Sequence, residues 1–72
     1  MSEKKIKIKA GEEYMTLNVL LKITDTISTG GMAKFYLAEN PVLVNGLSEN
    51  RRGRKLYPGD VVNIEGQTYT IE

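Results

Sequence analysis

Apolar and polar residues alternate along residues 4–10. Ile6, Ile8 and Ala10 are the apolar positions, and lysines occupy the positions between them. A period of two is typical of a half-buried β-strand. Because lysines on an edge strand discourage pairing with other chains, we interpret them first as edge protection.

The apolar spacing becomes helical after Thr16. Leu17, Leu20 and Leu21 fall on one stripe, which predicts a helix over residues 17–24. Threonine is a favoured N-cap because its hydroxyl accepts a hydrogen bond from a free helical N–H, so Thr16 is predicted to begin this helix. Residues 25–28 are expected to form a linker.

A second helix is predicted to begin at Thr29 as its cap, with Gly30 and Gly31 in its first turn. Each glycine destabilises a helix by up to about 1 kcal/mol relative to alanine, and is tolerated where another backbone or a phosphate comes close. The residue before a proline is pushed out of the helical region, so Asn40 and Pro41 end this helix. Its apolar face would comprise Ala33, Tyr36 and Leu37, flanked by Phe35 or Met32.

Short apolar runs separated by turn signals fill the second half of the chain. Asn45 and Gly46 form the strongest two-residue hairpin signal and follow a strand at residues 42–44. Pro58 and Gly59 fit a type II turn. Further strands are predicted over residues 61–64 and 68–71. One strand, two short helices and several short strands in 72 residues indicate a single α+β domain with a small, mostly antiparallel sheet.

Positive charge is concentrated in one loop, although the chain has a net charge of only +1. The loop holds Arg51, Arg52, Arg54 and Lys55. Arginine binds phosphate oxygens bidentately, and Gly53 allows a backbone to approach closely. A charge run alone is more often a solvated loop, so the fold around it must support a binding role.

Several kinds of chemistry lack the residues that they need. The chain has no cysteine and no histidine, and Ser28 and Ser48 therefore have no histidine to activate them. We predict no enzymatic activity, no metal site and no cofactor. No apolar run approaches the roughly 20 residues that span a membrane, and the N-terminus lacks the apolar segment of a signal peptide. A cytoplasmic protein without a membrane partner is therefore expected.

The combined pattern resembles the S-four RNA-binding domain family, whose RNA-binding element is the αL motif. The helix pair, Val-x-Val-Asn-Gly, the basic loop and Pro-Gly-Asp-Val carry the resemblance over residues 14–64. Small stand-alone bacterial members of the YbcJ/YaaA type share Gly-Gly-x-Ala-Lys, here residues 30–34, and Arg-Arg-Gly-x-Lys-Leu-x-Pro-Gly-Asp, here residues 51–60. Members that act on ribosomal RNA commonly carry arginine where this chain has Gly30.

The resemblance implies one RNA-binding domain over residues 1–72, with the motif at residues 14–64 and flanking strands at residues 4–10 and 68–72. The expected ligand is structured RNA, ribosomal or transfer RNA, bound by a monomer that associates with the ribosome or its assembly intermediates. The expected binding residues are Arg51, Arg52, Arg54, Lys55, Lys34, Thr29, Gly30, Gly31 and Tyr57. Tyr57 could stack on an unpaired base, although tyrosine before Pro-Gly more often covers the edge of a core.

Two alternatives stay open. A ubiquitin-like β-grasp adaptor would show a similar Val-Asn-Gly and Gly-Asp-Val pattern. Sulfur-carrier chemistry needs a C-terminal Gly-Gly, and because this sequence ends with Ile71 and Glu72 we expect none. DNA is the other alternative, since a phosphate-binding loop does not by itself distinguish the two sugars.

Overall fold

Two short helices and a five-stranded sheet make up the protein in the computed structural model, which describes residues 3–72. The elements in chain order are β1 (Glu3–Ile6), β2 (Met15–Thr16), α1 (Leu17–Ile23), α2 (Met32–Glu39), β3 (Val42–Val44), β4 (Leu47–Glu49), β5 (Lys55–Leu56), β6 (Val61–Ile64) and β7 (Gln67–Ile71). The sheet order is β1-β7-β6-β3-β4, and β2 pairs with β5 separately. Among the strand pairs within residues 3–72, β1 and β7 are parallel and the others are antiparallel. The predicted α+β fold with a mostly antiparallel sheet is therefore confirmed.

An aliphatic core joins the helices to the sheet. Its buried side chains include Leu17, Leu20, Leu21, Ala33, Leu37, Val42, Val44, Leu56, Val62, Ile64 and Ile71. Ile27 also belongs to this core, although it lies in the segment that the sequence predicts as a linker. Tyr69 and Ile71, two positions apart in β7, are both buried, so one face of this strand meets the core.

Helix α1 begins and ends as its caps dictate. Thr16 Oγ1 accepts a hydrogen bond from Val19 N–H at 3.3 Å, so the predicted N-cap is confirmed. At the other end, Thr24 follows the helix as its C-cap, and its hydroxyl donates to Leu20 O at 2.8 Å. The helix therefore covers Leu17–Ile23.

Helix α2 begins later than predicted, and the prediction that Thr29 caps it is wrong. Gly31 occupies the N-cap position, where no side chain of the described residues makes a capping bond. Met32 N–H donates to Thr29 O at 3.1 Å and Ala33 N–H donates to Gly30 O at 3.3 Å, so a tight turn precedes the helix. Glycine loses more conformational entropy than other residues when it becomes helical, which disfavours an extension of the helix over Gly30 and Gly31. Asn40 ends the helix as predicted.

The face of α2 that meets the core is the predicted one. Ala33 and Leu37 are fully buried, and Tyr36 packs partly against the core. The Tyr36 hydroxyl also donates a hydrogen bond to the carboxylate of Glu65, in the turn between β6 and β7. Phe35 remains 74% exposed and Met32 46% exposed, so neither contributes to the core.

Two turns in the second half have the predicted geometry. Asn45 and Gly46 have φ values of 53° and 85°, as a type I′ hairpin turn requires, and they join β3 to β4. Gly59 has a φ of 99°, which fits the third position of a type II turn after Pro58. Asn45 Nδ2 donates to Asp60 Oδ1 at 3.1 Å, so the two turns are bonded to each other.

The first strand lies at one edge of the sheet. Strand β1 covers Glu3–Ile6, shorter than the predicted residues 4–10. The chain stays beside β7 beyond its end, because Ile8 N–H donates to Glu72 O at 3.0 Å. The edge position agrees with the interpretation of its lysines as edge protection.

Neither helix within residues 3–72 is long and apolar enough to cross a membrane.

Candidate nucleic-acid interface

The basic loop, residues 51–55, is bonded through its backbone to the first turn of α1. Leu17 N–H donates to Arg54 O at 2.9 Å, and Asn18 N–H donates to Arg52 O at 2.9 Å. The first N–H groups of a helix have no partner within it, so the loop satisfies two of them. Pairing of β2 with β5 adds the neighbouring contact, since Thr16 lies opposite Lys55. The loop backbone is therefore fixed before any ligand binds.

A buried carboxylate organises two of the four cations. Glu49 is only 7% exposed. Its Oε2 accepts hydrogen bonds from both the backbone N–H and Nε of Arg51 at 3.0 Å. Its Oε1 accepts from Arg54 Nη1 at 2.9 Å and from Arg51 Nη2 at 3.3 Å. Both guanidinium groups are thus oriented by one acidic side chain.

The ion pairs shift the pKa of Glu49 strongly. Hydrogen bonds from Arg51 are the main cause, and together with Arg54 they outweigh burial and lower the pKa of Glu49 from 4.5 to about 2. The same contact raises the pKa of Arg51. Glu49 is therefore ionised at neutral pH. With the four loop cations it forms a cluster of five ionised side chains with a net charge of +3.

Glu49 is absent from the site predicted from the sequence, although one signal points to it. A two-residue Asn-Gly turn fixes the hairpin register, which places Glu49 directly opposite Val42. Val42 belongs to the core. A residue opposite it faces inward, so an acid at that position needs a cationic partner, and three arginines follow within five residues.

The other two cations remain available to a ligand. Arg52 is exposed, and its side chain makes no hydrogen bond or ion pair with any other of residues 3–72. Lys55 is also exposed, and its Nζ lies 5.1 Å from the ring centroid of Tyr14, within the range of a cation–π contact. Within the part of the chain that the structure describes, neither side chain has an ion pair that it must break to meet a phosphate.

An open depression of about 610 Å³ lies along the loop. Its walls are formed by Arg51, Gly53, Arg54, Lys55, Tyr57 and Asp60. The Asp60 carboxylate is engaged internally, because its Oδ2 accepts from Tyr57 N–H at 2.8 Å and its Oδ1 from Asn45 at 3.1 Å. Three cations therefore line the depression with one internally bonded carboxylate. This electrostatic arrangement suits an anionic ligand.

Asn18 connects the loop to the segment before α2. Its N–H bonds to the loop at Arg52 O, and its side chain lies against Gly30, where a Cβ would come 3.4 Å from Asn18 Nδ2. The side-chain Oδ1 of Asn18 is buried and has no hydrogen-bond partner within residues 3–72. Thr29, Gly31 and Lys34 are exposed beside this contact in sequence. The structure thus brings the start of α2 towards the basic loop, without a cap from Thr29.

Tyr57 has a neighbour that the sequence does not suggest. Tyr57 is 45% exposed, and its ring lies 5.7 Å, centroid to centroid, from the ring of Tyr14. Tyr57 is therefore a surface residue on the wall of the depression.

Within residues 3–72 no cluster of three or more acidic side chains could hold a metal ion.

Fold and site together define a small α+β domain that presents a preorganised cationic surface. The chain belongs to the S4 domain family, whose model matches residues 6–72, so the resemblance to S-four domains is confirmed. RNA binding is the role of that family. A relative from Bacillus subtilis (strain 168), named "Probable ribosome maturation protein RlbA", is 58% identical over 59 residues, which cover 82% of this chain and 83% of that protein.

Proposed function

We propose that this protein is a non-catalytic module that binds structured RNA through residues 51–55 and the start of α2. The observation that carries the proposal is the cationic loop itself, bonded to α1 through its backbone and ordered by Glu49. Arginines that are already oriented lose less conformational entropy when they bind phosphate. The loop offers cations and donors, which suits phosphate contacts and shape recognition rather than extensive reading of base edges.

Ribosomal RNA in a maturing ribosome is the proposed ligand. Membership of the S4 domain family supports RNA, and the printed name of the Bacillus subtilis relative supports a role in ribosome maturation. Membership of the same family also supports a role outside catalysis.

Arg52→Ala is the variant that isolates RNA binding from stability. Removal of Arg51 or Arg54 would leave the buried Glu49 with one ion-pair partner fewer, whereas the ion pairs of Glu49 within residues 3–72 do not involve Arg52. Lys22→Ala is the matched control, because Lys22 is an exposed cation in the last turn of α1, at the opposite end from the loop contacts. Both variants lower the net charge by one.

The test is ultraviolet crosslinking in bacterial cells, followed by sequencing of the RNA bound to each variant. We expect ribosomal RNA to be enriched by the wild type and by Lys22→Ala, and the enrichment to fall sharply for Arg52→Ala. Enrichment of transfer RNA instead would change the ligand class. No enrichment above total RNA, or a protein partner that persists after nuclease treatment, would contradict RNA binding.

A further inference from the structure

Two tyrosines far apart in sequence become cross-strand neighbours on the surface. The register of β2 and β5 pairs Met15 with Leu56, so Tyr14 and Tyr57 stand opposite each other one position further along. Met15 and Leu56 are buried in the core. Because side chains alternate along a strand, the two tyrosines point to the outer face. The two residues are 36% and 45% exposed, and their rings are tilted by 55° to each other.

The pair is held in place by the backbone and by Lys55. Tyr57 N–H donates to Asp60 Oδ2 at 2.8 Å, and Tyr57 O accepts from Asp60 N–H at 3.0 Å. Lys55 Nζ lies 5.1 Å from the centroid of the Tyr14 ring. Two partly exposed rings on a fixed backbone present an aromatic surface without a conformational change.

Opposite charges flank this aromatic ridge. On one side lies the basic depression, which Tyr57 helps to line. On the other side lies a second depression of about 540 Å³, lined by Glu12, Glu13, Tyr14, Thr16 and Val19. Phosphates are attracted to the first depression and repelled by the glutamates of the second. An uncharged aromatic group is therefore the part of a nucleotide that the ridge can accept.

We propose that Tyr14 and Tyr57 form a stacking platform for an unpaired nucleobase whose flanking phosphates contact the basic loop. This inference rests on the proposed function and narrows its ligand to RNA with an unpaired nucleotide beside a helix. Bases inside an A-form duplex cannot reach an aromatic side chain, whereas bulged and loop bases can. The loop then supplies affinity for any RNA, and the tyrosines supply the preference for an unpaired base.

The probe is a blunt-ended RNA duplex, prepared fully paired and with a single bulged 2-aminopurine nucleotide. Stacking of one base on an aromatic side chain corresponds to roughly 5- to 150-fold in affinity, so the wild type should prefer the bulged duplex by a factor in that range. The fluorescence of 2-aminopurine should fall on binding. Tyr14→Leu and Tyr57→Leu should each weaken binding to the bulged duplex more than binding to the paired duplex, and should each reduce the quenching.

Tyr57→Phe is the matched control, because it keeps the ring and should keep the preference. Equal wild-type affinity for both duplexes would overturn the platform and leave the proposed function intact. Equal losses on both duplexes in the leucine variants would also overturn it, since the tyrosines would then act on the fold or on phosphate contacts. Binding to neither duplex would overturn both proposals.

Discussion

At the scale of single residues, Glu49 explains how a dense basic loop keeps one conformation. A buried carboxylate alone would be strongly unfavourable, but Glu49 accepts four hydrogen bonds from Arg51 and Arg54. The same bonds hold the two guanidinium groups in place beside the open depression. Glu49 is therefore a positioning residue, whereas Arg52 and Lys55 are the loop cations that have no acidic partner within residues 3–72.

Glu49→Gln should destabilise the protein. A neutral amide keeps the size of the side chain but removes the charge that two arginines share, and loss of hydrogen bonds to a charged group typically lowers the free energy of unfolding by about 1–3 kcal/mol. Urea denaturation at neutral pH measures the change. Glu39→Gln is the control, since Glu39 is exposed on α2, and should leave the midpoint unchanged. Equal midpoints for the wild type and Glu49→Gln would contradict the role of Glu49.

The ion pairs of Glu49 with Arg51 and Arg54 predict that the stability of the fold depends on pH in acid. The pKa of Glu49 is about 2 in the folded protein and 4.5 for the unperturbed group. A carboxyl whose pKa is lowered by folding contributes its full stabilisation above the unfolded pKa and loses it as the pH falls towards the folded pKa. The difference in unfolding free energy between the wild type and Glu49→Gln should therefore shrink between pH 4.5 and pH 2. A difference that does not change with pH would show that ionisation of Glu49 plays no part.

At the scale of elements, the start of α2 is a place where one substitution should change stability and RNA binding in opposite directions. Gly31 has φ −68°, which any residue adopts, and a Cβ there would meet no atom of residues 3–72 within 4 Å. Its neighbour Gly30 lies against Asn18 and hence beside the basic loop. A glycine in ordinary geometry with open space in front of it suits close approach by a phosphate.

Gly31→Ala should stabilise the fold and weaken RNA binding. Replacement of glycine by alanine at an unstrained position raises the free energy of unfolding by about 0.4–1 kcal/mol, because it restricts the unfolded chain. The added methyl group would occupy the space that a phosphate needs. Gly59→Ala is the contrast, since a φ of 99° strains alanine and should destabilise the protein. Filter binding that shows unchanged RNA affinity for Gly31→Ala would remove the start of α2 from the interface.

Most features set by neighbouring residues could be predicted from the sequence, with the cap of α2 as the exception, whereas features set by distant contacts could not. The cap at Thr16 and the turn at Asn45 and Gly46 depend on local geometry, and both are confirmed. The pairing of β2 with β5 joins strands of two residues each, which are too short to show a hydrophobic period. That pairing places Tyr14 beside Tyr57, so half of the aromatic ridge could be found only in the structure.

At the scale of the whole molecule, the distribution of charge matters more than its sum. The chain has a net charge of +1, but the cluster formed by residues 51–55 and Glu49 carries +3. At the sheet edge, Lys5 pairs with Glu72 at 3.8 Å, an exposed contact that contributes little. A local positive field is enough to steer an anionic ligand to one face of a nearly neutral protein.

The most direct test of RNA binding by this face is the dependence of affinity on salt. Each phosphate contact contributes about −0.7 to −0.9 to the slope of log K against log salt, so a net cluster charge of +3 predicts a slope of about −2 to −3. Filter binding of ribosomal RNA fragments should show this slope for the wild type and for Lys22→Ala. Arg52→Ala should make the slope shallower by about 0.7–0.9 and weaken binding. A slope near zero, or a slope and affinity unchanged in Arg52→Ala, would contradict the assignment of residues 51–55 as the RNA-binding surface.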